Sequence, residues 1–435
     1  MIIACKNYRI IIKNCRDRLK GDMYMENRTG NTKTFINNRR ASLISAIFLM
    51  ATSAIGPGFI TQTATFTVTL GSAFGFGILA SIIIDFVVQQ NIWRVVSLTK
   101  MYSSDIANAT IPYSGYVLAI LVIFGGLVFN IGNIAGAGLG LNALVGLDPK
   151  WGGAISAFMA IYIFSSHKAS HFIDRLMIGF GLLMIGLTLF VLFAAHPPIG
   201  QAFTETLFPS NIDFASITTI VGGTVGGYIS YAGAHRLLDK KMVGVENIKY
   251  VSSAATRGII VVGVMRYILF LAILGVVASG VTIDISSYAA NPASQAFQAA
   301  LGQLGLRIFG LILWAAALTS IIGAAYTSMT FITPFKPSIT IRQRQIATII
   351  FIICSLAVYL IMGAAPVSLL VFAGGFNGLV LPLGLTIFIF IGWKRADLMS
   401  GYHYPRWLLW SGFIVCAITW YMGAMSIVTI FNYLR

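Results

Sequence analysis

Four groups of residues in this chain could do chemistry, and all of them lie in apolar surroundings. Thr65, Thr67 and Thr69 recur at every second position of an uncharged segment that opens with Gly56-Pro57-Gly58. The stretch Gly222-Gly223-Thr224-Val225-Gly226-Gly227-Tyr228 is dense in glycine. Arg266 stands well inside another apolar run, and Asp85 is the acid placed deepest within one. A guanidinium presents a rigid fork of donors that matches a carboxylate, and hydroxyls and freed backbone N–H groups extend such a donor set. Helix amino ends exposed at a break add partial positive charge. Charge in hydrocarbon is expensive, so an ionisable group there is a functional candidate by default. The set suits recognition of a small anion rather than bond making. No nucleophile elbow, paired-histidine metal site or phosphate-binding loop occurs, and the chain is not expected to be an enzyme.

Each feature also has a plainer reading. Threonine hydroxyls in helices bond back to the carbonyl four residues earlier. Glycine-rich faces let neighbouring helices pack closely. Arg266 and Asp85 could form a structural ion pair, or Arg266 could cap carbonyls. Tyr228 suits simple packing. These alternatives stay open in the sequence.

The elements that must position these groups are membrane helices. Hydrophobic residues make up 57% of the 435 positions, charged residues only 10%, and mean hydropathy is +0.85. That leaves too little polar surface for a soluble globule and predicts an all-α polytopic membrane protein. About eleven apolar spans follow, at 45–71, 74–97, 115–144, 151–166, 175–195, 214–236, 257–280, 305–333, 346–363, 367–392 and 407–431. Each is near the ~20 residues that cross ~30 Å of hydrocarbon. Gly56-Pro57-Gly58 loosens the first span at its entry, and the β-branched run after it has restricted side chains. Unwound backbone and hydroxyls at bilayer depth are tolerated only against protein or a water-filled cavity, so this segment is expected to line a pathway. The glycines of the sixth span, each about 1 kcal/mol less favourable than alanine in a helix, predict a second break. Two interrupted segments, each first in a group of five spans, are the mark of an inverted-repeat transporter with its site between them near the midplane. The expected division is a basic tail over 1–44, a first repeat over 45–200, a second over 201–395 and an eleventh helix over 396–435.

Charge orients the spans. If the first span starts inside, the tail and the connections 94–114, 167–175, 235–257, 334–346 and 393–406 are cytoplasmic and hold 25 of the 29 Lys and Arg. Lys150, Arg307 and Arg435 fall outside. The positive-inside rule then predicts a cytoplasmic N-terminus and an extracellular C-terminus. It also accounts for the net charge of +16 without nucleic acid, which would need basic residues gathered on a folded soluble surface. The tail reads either as a basic amphipathic helix on anionic lipid, built on Lys6, Arg9, Lys13, Arg16 and Lys20, or as an unstructured segment. Cys5, Cys15, Cys354 and Cys416 have neither metal nor redox spacing, no signal peptide precedes the spans, and no cofactor is expected. The connection 281–304 is the longest external one, with an amphipathic stretch from Pro292 suited to a lid.

From about residue 45 to 430 the chain resembles the Nramp family of proton-coupled divalent-metal transporters. The likeness rests on Gly56-Pro57-Gly58-Phe59, on Gln89 to Arg94 with Thr99, on Asn130-Ile131-Gly132-Asn133-Ile134-Ala135-Gly136-Ala137, on Gly222-Gly223-Thr224-Val225, and on the order of the spans. It implies a LeuT-type 5+5 inverted repeat with helices 1 and 6 broken. The departures concern the metal. Counting from Gly56, the family's Asp-Pro-Gly-Asn metal motif falls on Thr67, Val68, Thr69 and Leu70. Its sixth-span Ala-Thr-Val-Met-Pro-His falls on Gly223-Thr224-Val225-Gly226-Gly227-Tyr228. The third-span acids of the proton route are replaced by Asn130 and Asn133, which hydrogen-bond but cannot titrate.

A divalent ion needs oxygen or soft sulfur ligands and normally an anion at its site, so no metal is expected at the centre. The sign of the cavity is expected to be positive instead. Thr65, Thr67, Thr69, Gly223, Gly226, Gly227, Tyr228 and Arg266 are the candidate substrate contacts, with Asp85 as the candidate partner of Arg266. The chain is similar to a prokaryotic branch of Nramp relatives described as bicarboxylate transporters. That resemblance implies a short dicarboxylate such as oxalate or malonate, alternating access in a prokaryotic plasma membrane, and coupling to protons by family analogy. The competing expectation is a proton-coupled carrier of manganese, iron or magnesium with an altered site. His235, Arg236, Asp239 and Lys240 read as an end cap or gate, or else as a solvated loop.

Overall fold

The computed structural model describes residues 32–166, 169–285, 291–362 and 367–434. The expectations for the basic tail before Thr32, including Cys5 and Cys15, lie outside them. Every regular element among the described residues is helical. They are α1 (Thr32–Ala54), α2 (Pro57–Leu70), α3 (Phe74–Thr99), α4 (Ser103–Thr110), α5 (Ser114–Val145), α6 (Pro149–Ser165), α7 (Ala169–Ala195), α8 (Ile199–Leu207), α9 (Phe214–Val225), α10 (Ile229–Asp239), α11 (Ile248–Ala278), α12 (Pro292–Thr330), α13 (Ile341–Met362), α14 (Val367–Lys394) and α15 (Arg406–Leu434). Among the described residues, eight helical stretches are long and apolar enough to cross a membrane. In hydrocarbon a helix satisfies its own backbone, which is why the apolar runs adopt it. Ile83, Val117, Ile120, Phe158 and Phe193 stay exposed on its outer surface, where lipid would cover them.

Two rods are each built from two successive halves, α1 with α2 and α9 with α10. Taking each as one span, and setting aside the short α4 and α8, the count is the eleven expected. Half α1 packs against α10 and half α2 against α9. The piece before one break therefore lies beside the piece after the other, so the rods run antiparallel with their breaks at one level. An apolar core around Phe74, Trp93, Tyr228 and Phe270 takes in residues of both rods. A second, around Ile134, Ala157, Ile321 and Tyr359, is built mainly from α5, α6, α7, α12 and α13.

The breaks follow from local chemistry. Pro57 at the first position of α2 has no N–H to lose there, and it forces Gly56 to the extended conformation seen (φ −99°, ψ −177°). The second break has Gly226 extended (φ −73°, ψ 155°) and Gly227 left-handed (φ 53°), a region open to glycine at little cost. The sixth-span break thus falls where its glycines predicted it. The first does not fall on the threonines: α1 reaches back to Thr32, Gly56-Pro57 is the middle of the rod rather than its entry, and the chain stays helical through Leu70. The proline ends a helix, and β-branched residues do not.

Farther along the chain, α12 opens before the expected span and is kinked at Gly302 (φ 59°, ψ −139°). Asn291 caps it through Ala293 N at 3.0 Å and donates from Nδ2 to Thr61 Oγ1 of α2 at 3.1 Å.

Candidate functional site

The two breaks meet a set of buried polar side chains from the surrounding helices. A Cβ placed on Gly56 would stand 2.8 Å from Ser320 Oγ of α12 and 3.3 Å from Asn133 Oδ1 of α5. One placed on Gly227 would overlap Asn377 Oδ1 of α14, and one on Gly226 would stand 3.0 Å from Asn377 Cβ. The glycines let the broken backbone come this close. Both amide atoms of Asn133 and of Asn377 are buried without a hydrogen-bond partner. Asn130 is partly satisfied, since Nδ2 donates to Ser355 Oγ at 3.0 Å while Oδ1 has no partner. Tyr228 is buried and its hydroxyl donates to Ser53 O at 3.4 Å.

A charged pair flanks this neutral group. Arg266 of α11 is 2% exposed, lays its guanidinium 4.0 Å from the centre of the Phe59 ring on α2, and donates from Nη2 to Thr224 Oγ1 on α9 at 3.1 Å. It therefore touches both broken rods within a turn or so of their breaks. Its Nη1 is buried and unpartnered. Asp85 of α3, also 2% exposed, makes no direct ion pair with it, although α3 packs against α11. Asp85, Gln89 and Trp93 follow one another at helical spacing along one face of α3. Trp93 Nε1 donates to Ser230 O just past the second break at 3.2 Å, so this face is turned to the sixth rod. Both amide atoms of Gln89 are unpartnered, as is Oε1 of Gln62, which lies against Gly223. A buried polar group left unpaired costs about 1–3 kcal/mol, so their concentration sets this region apart from the packed cores around it.

The structure thus brings together Gly223, Gly226, Gly227, Tyr228, Arg266, Asn130, Asn133 and Asp85. It does not bring the threonines to them. Thr67 is buried but donates to Thr63 O at 2.6 Å, and Thr69 is exposed and donates to Thr65 O at 3.1 Å. Thr65 itself is half-buried toward the far end of α2. Back-bonding to their own helix accounts for the hydroxyls of Thr67 and Thr69. Gln62 and Ser320 join the set unannounced, and Gln89, Phe59 and Thr224 join it from stretches named for other reasons. Amides inside apolar spans were the available signal for Gln62 and Gln89.

A second cluster closes the end of the molecule that carries Arg39, Lys100, Arg344 and Arg395, here the basic end. His235, Arg236 and Asp239 are packed rather than solvated. His235 is fully buried between Ser103 Oγ at 2.8 Å and Thr330 Oγ1 at 2.6 Å. Arg236 and Lys240 both pair with Asp174 of α7, the latter at 3.2 Å. Asp239 accepts from Arg344 Nη2 of α13 at 2.6 Å and from the hydroxyls of Tyr102 and Tyr326. Burial, reinforced by the Asp239 charge, pushes the Tyr102 hydroxyl well above its ordinary value and keeps it a donor. A cavity of about 200 Å³ lies beside this cluster. Among the described residues no group of three or more His, Cys, Asp or Glu is arranged to hold a metal ion.

The family model described as natural resistance-associated macrophage protein-like matches residues 47–429. The chain belongs to the Nramp family. Curated relatives include the uncharacterized membrane protein YcsG of Bacillus subtilis (strain 168), 47% identical over 387 residues that cover 89% of this chain and 94% of that one. An uncharacterized membrane protein of Haemophilus influenzae is 45% identical over 399 residues, covering 92% and 98%. Among solved structures, the manganese transporter of Eremococcus coleocola superposes with a TM-score of 0.73 at 14% identity, covering 92% of this chain and 88% of that one. MhsT in complex with L-phenylalanine gives 0.61 at 16% identity, covering 87% and 98%. The fold is the LeuT-type one of Nramp transporters, and the chain is a multi-pass membrane protein. Thr67 to Leu70 stay helical, while Gly56 and Phe59 flank Pro57-Gly58 at the first break. Neither residue has a side-chain oxygen to offer a cation, and Phe59 instead carries the Arg266 guanidinium.

Proposed function

We propose that this Nramp-family member carries a small carboxylate-bearing anion, a short dicarboxylate such as oxalate or malonate, by alternating access and together with protons. It is a transporter rather than an enzyme, set in the plasma membrane of a prokaryote with its basic end in the cytoplasm. One observation carries the reading: the unpartnered Nη1 of Arg266, buried where the two broken rods cross. A guanidinium held there by a ring and a hydroxyl presents its free edge as one half of a fork for a carboxylate. The helix amino ends at Pro57 and Ile229 and the amides of Gln62 and Gln89 extend the donor set. The repeats over 45–200 and 201–395 would rock about this point.

A second reading has its own support. The fold is shared with a manganese transporter, and Asp85 Oδ1, unpartnered, is an oxygen a cation could use. Uptake into proteoliposomes separates the two. Labelled oxalate or malonate is expected to accumulate, Arg266→Ala to abolish accumulation, and Arg266→Lys to reduce it, with folding checked by gel filtration. Manganese uptake with no dicarboxylate uptake would overturn the anion reading.

A further inference from the structure

We propose that Asp85 is the group that takes up the proton travelling with each anion. This rests on the anion reading above. Asp85 and Arg266 are each 2% exposed, each keeps one polar atom without a partner, and they stand on helices packed against one another without forming a direct ion pair. Together they make a neutral pair in a medium that penalises net charge. An anion docking on Arg266 takes over its compensating charge and leaves the chamber negative. Asp85 offsets one unit of that charge by binding a proton from the solution that delivered the anion, which restores neutrality for a monoanion and leaves a single negative charge for a dianion. One O–H bond forms on the carboxyl, and the proton leaves to the other side when the anion does. A monoanion moved this way carries no net charge, and a dianion carries one negative charge.

Among the described residues, the other titratable groups on elements packed against α3 are engaged elsewhere, Asp105 of α4 beside Thr333 toward the basic end. Of the elements packed against α3, α11 presents Arg266, and its Tyr267 is engaged by Thr206 of α8 at 3.0 Å. Glu205 on α8 accepts from Ser210 N at 2.6 Å, and Asp213 caps α9 through Ser216 N at 2.9 Å. On α10, Tyr231, His235 and Arg236 sit toward the basic end, the last two bound to Thr330 and Asp174. On α15, Cys416 meets Thr386 at 3.3 Å, and α2 carries no titratable group. Arg94, farther along α3, is bonded to Tyr402 at 2.9 Å and Ser252 at 2.7 Å. Asn130 and Asn133 cannot titrate.

The test is calorimetric titration of the full chain in detergent with oxalate, in two buffers of different ionisation enthalpy, which counts protons taken up per anion bound. About one proton per oxalate is expected for the wild type near neutral pH and none for Asp85→Asn. Asp85→Glu should keep the uptake with its pH midpoint displaced. Oxalate binding by the wild type without proton uptake, or wild-type uptake in Asp85→Asn, overturns the assignment while leaving anion transport standing. If Asp85→Asn does not fold, Asp85→Glu decides, and an undisplaced midpoint overturns it. A wild type that binds manganese and no oxalate removes the anion reading and this inference with it.

Discussion

A carboxyl group folded away from water costs more the more completely it ionises, and Asp105 at the start of α4 is such a group. Burial pushes it up to about 6 from an ordinary 3.8, against the pull of the Thr333 hydroxyl. Below the ordinary value it is neutral in folded and unfolded chains alike, and its favourable contribution is fully present. As pH rises through about 6 that contribution is lost, because the unfolded chain ionises more readily. Asp105→Asn should therefore raise the melting temperature at neutral pH, by up to about 3 kcal/mol of stability, and leave it unchanged near pH 4. A gain that is the same at every pH would contradict this. At the same scale, Arg266 and Asp85 were legible in the sequence because charge inside an apolar span stands out by type alone. The threonines misdirected the reading, since a hydroxyl's position in a chain does not reveal that its proton is already committed to a carbonyl one turn back. Gln62 and Gln89 went unmarked because only the fold shows that their amides have no partner.

Among the elements, the seam at the basic end has the clearest consequence. α10 is bound there to α13 through Asp239 and Arg344 and to α7 through Asp174. Charge-assisted bonds of this kind contribute about 1.5–3 kcal/mol each, or roughly tenfold or more in the closed-to-open ratio. Arg344→Ala should thus speed thiol labelling of a cysteine placed at Thr327, a buried α12 position, by about tenfold from the basic side. An unchanged labelling rate would mean that the seam does not hold that end shut. The sequence named His235, Arg236, Asp239 and Lys240 as a gate without being able to choose between a packed and a solvated one, because Asp174, Tyr102 and Arg344 arrive from distant parts of the chain. The breaks were legible to different degrees for a related reason. Repeated glycine locates a weak point wherever it occurs, whereas the first rod was misregistered because its upstream half hides in a basic stretch that reads as a tail.

For the whole molecule, composition alone made the class plain, since so few charged residues cannot clothe a soluble surface of this size. The pairing of the repeats was legible only as two interruptions at corresponding places, and the contact of α1 with α10 is what makes it geometry. The charge asymmetry carries a test of orientation in intact cells. A cysteine at Trp151, exposed at the end opposite the basic one, should react with an impermeant thiol reagent, and one at Ala396 should not. The reverse pattern would invert the proposed topology. The amide of Asn291 grips Thr61 on α2, while Gly302 bends the chain a few turns later. The short arm between them is thus a lever with its pivot at the glycine and its handle on the first rod, so a tilt of α2 would be passed on to the arm.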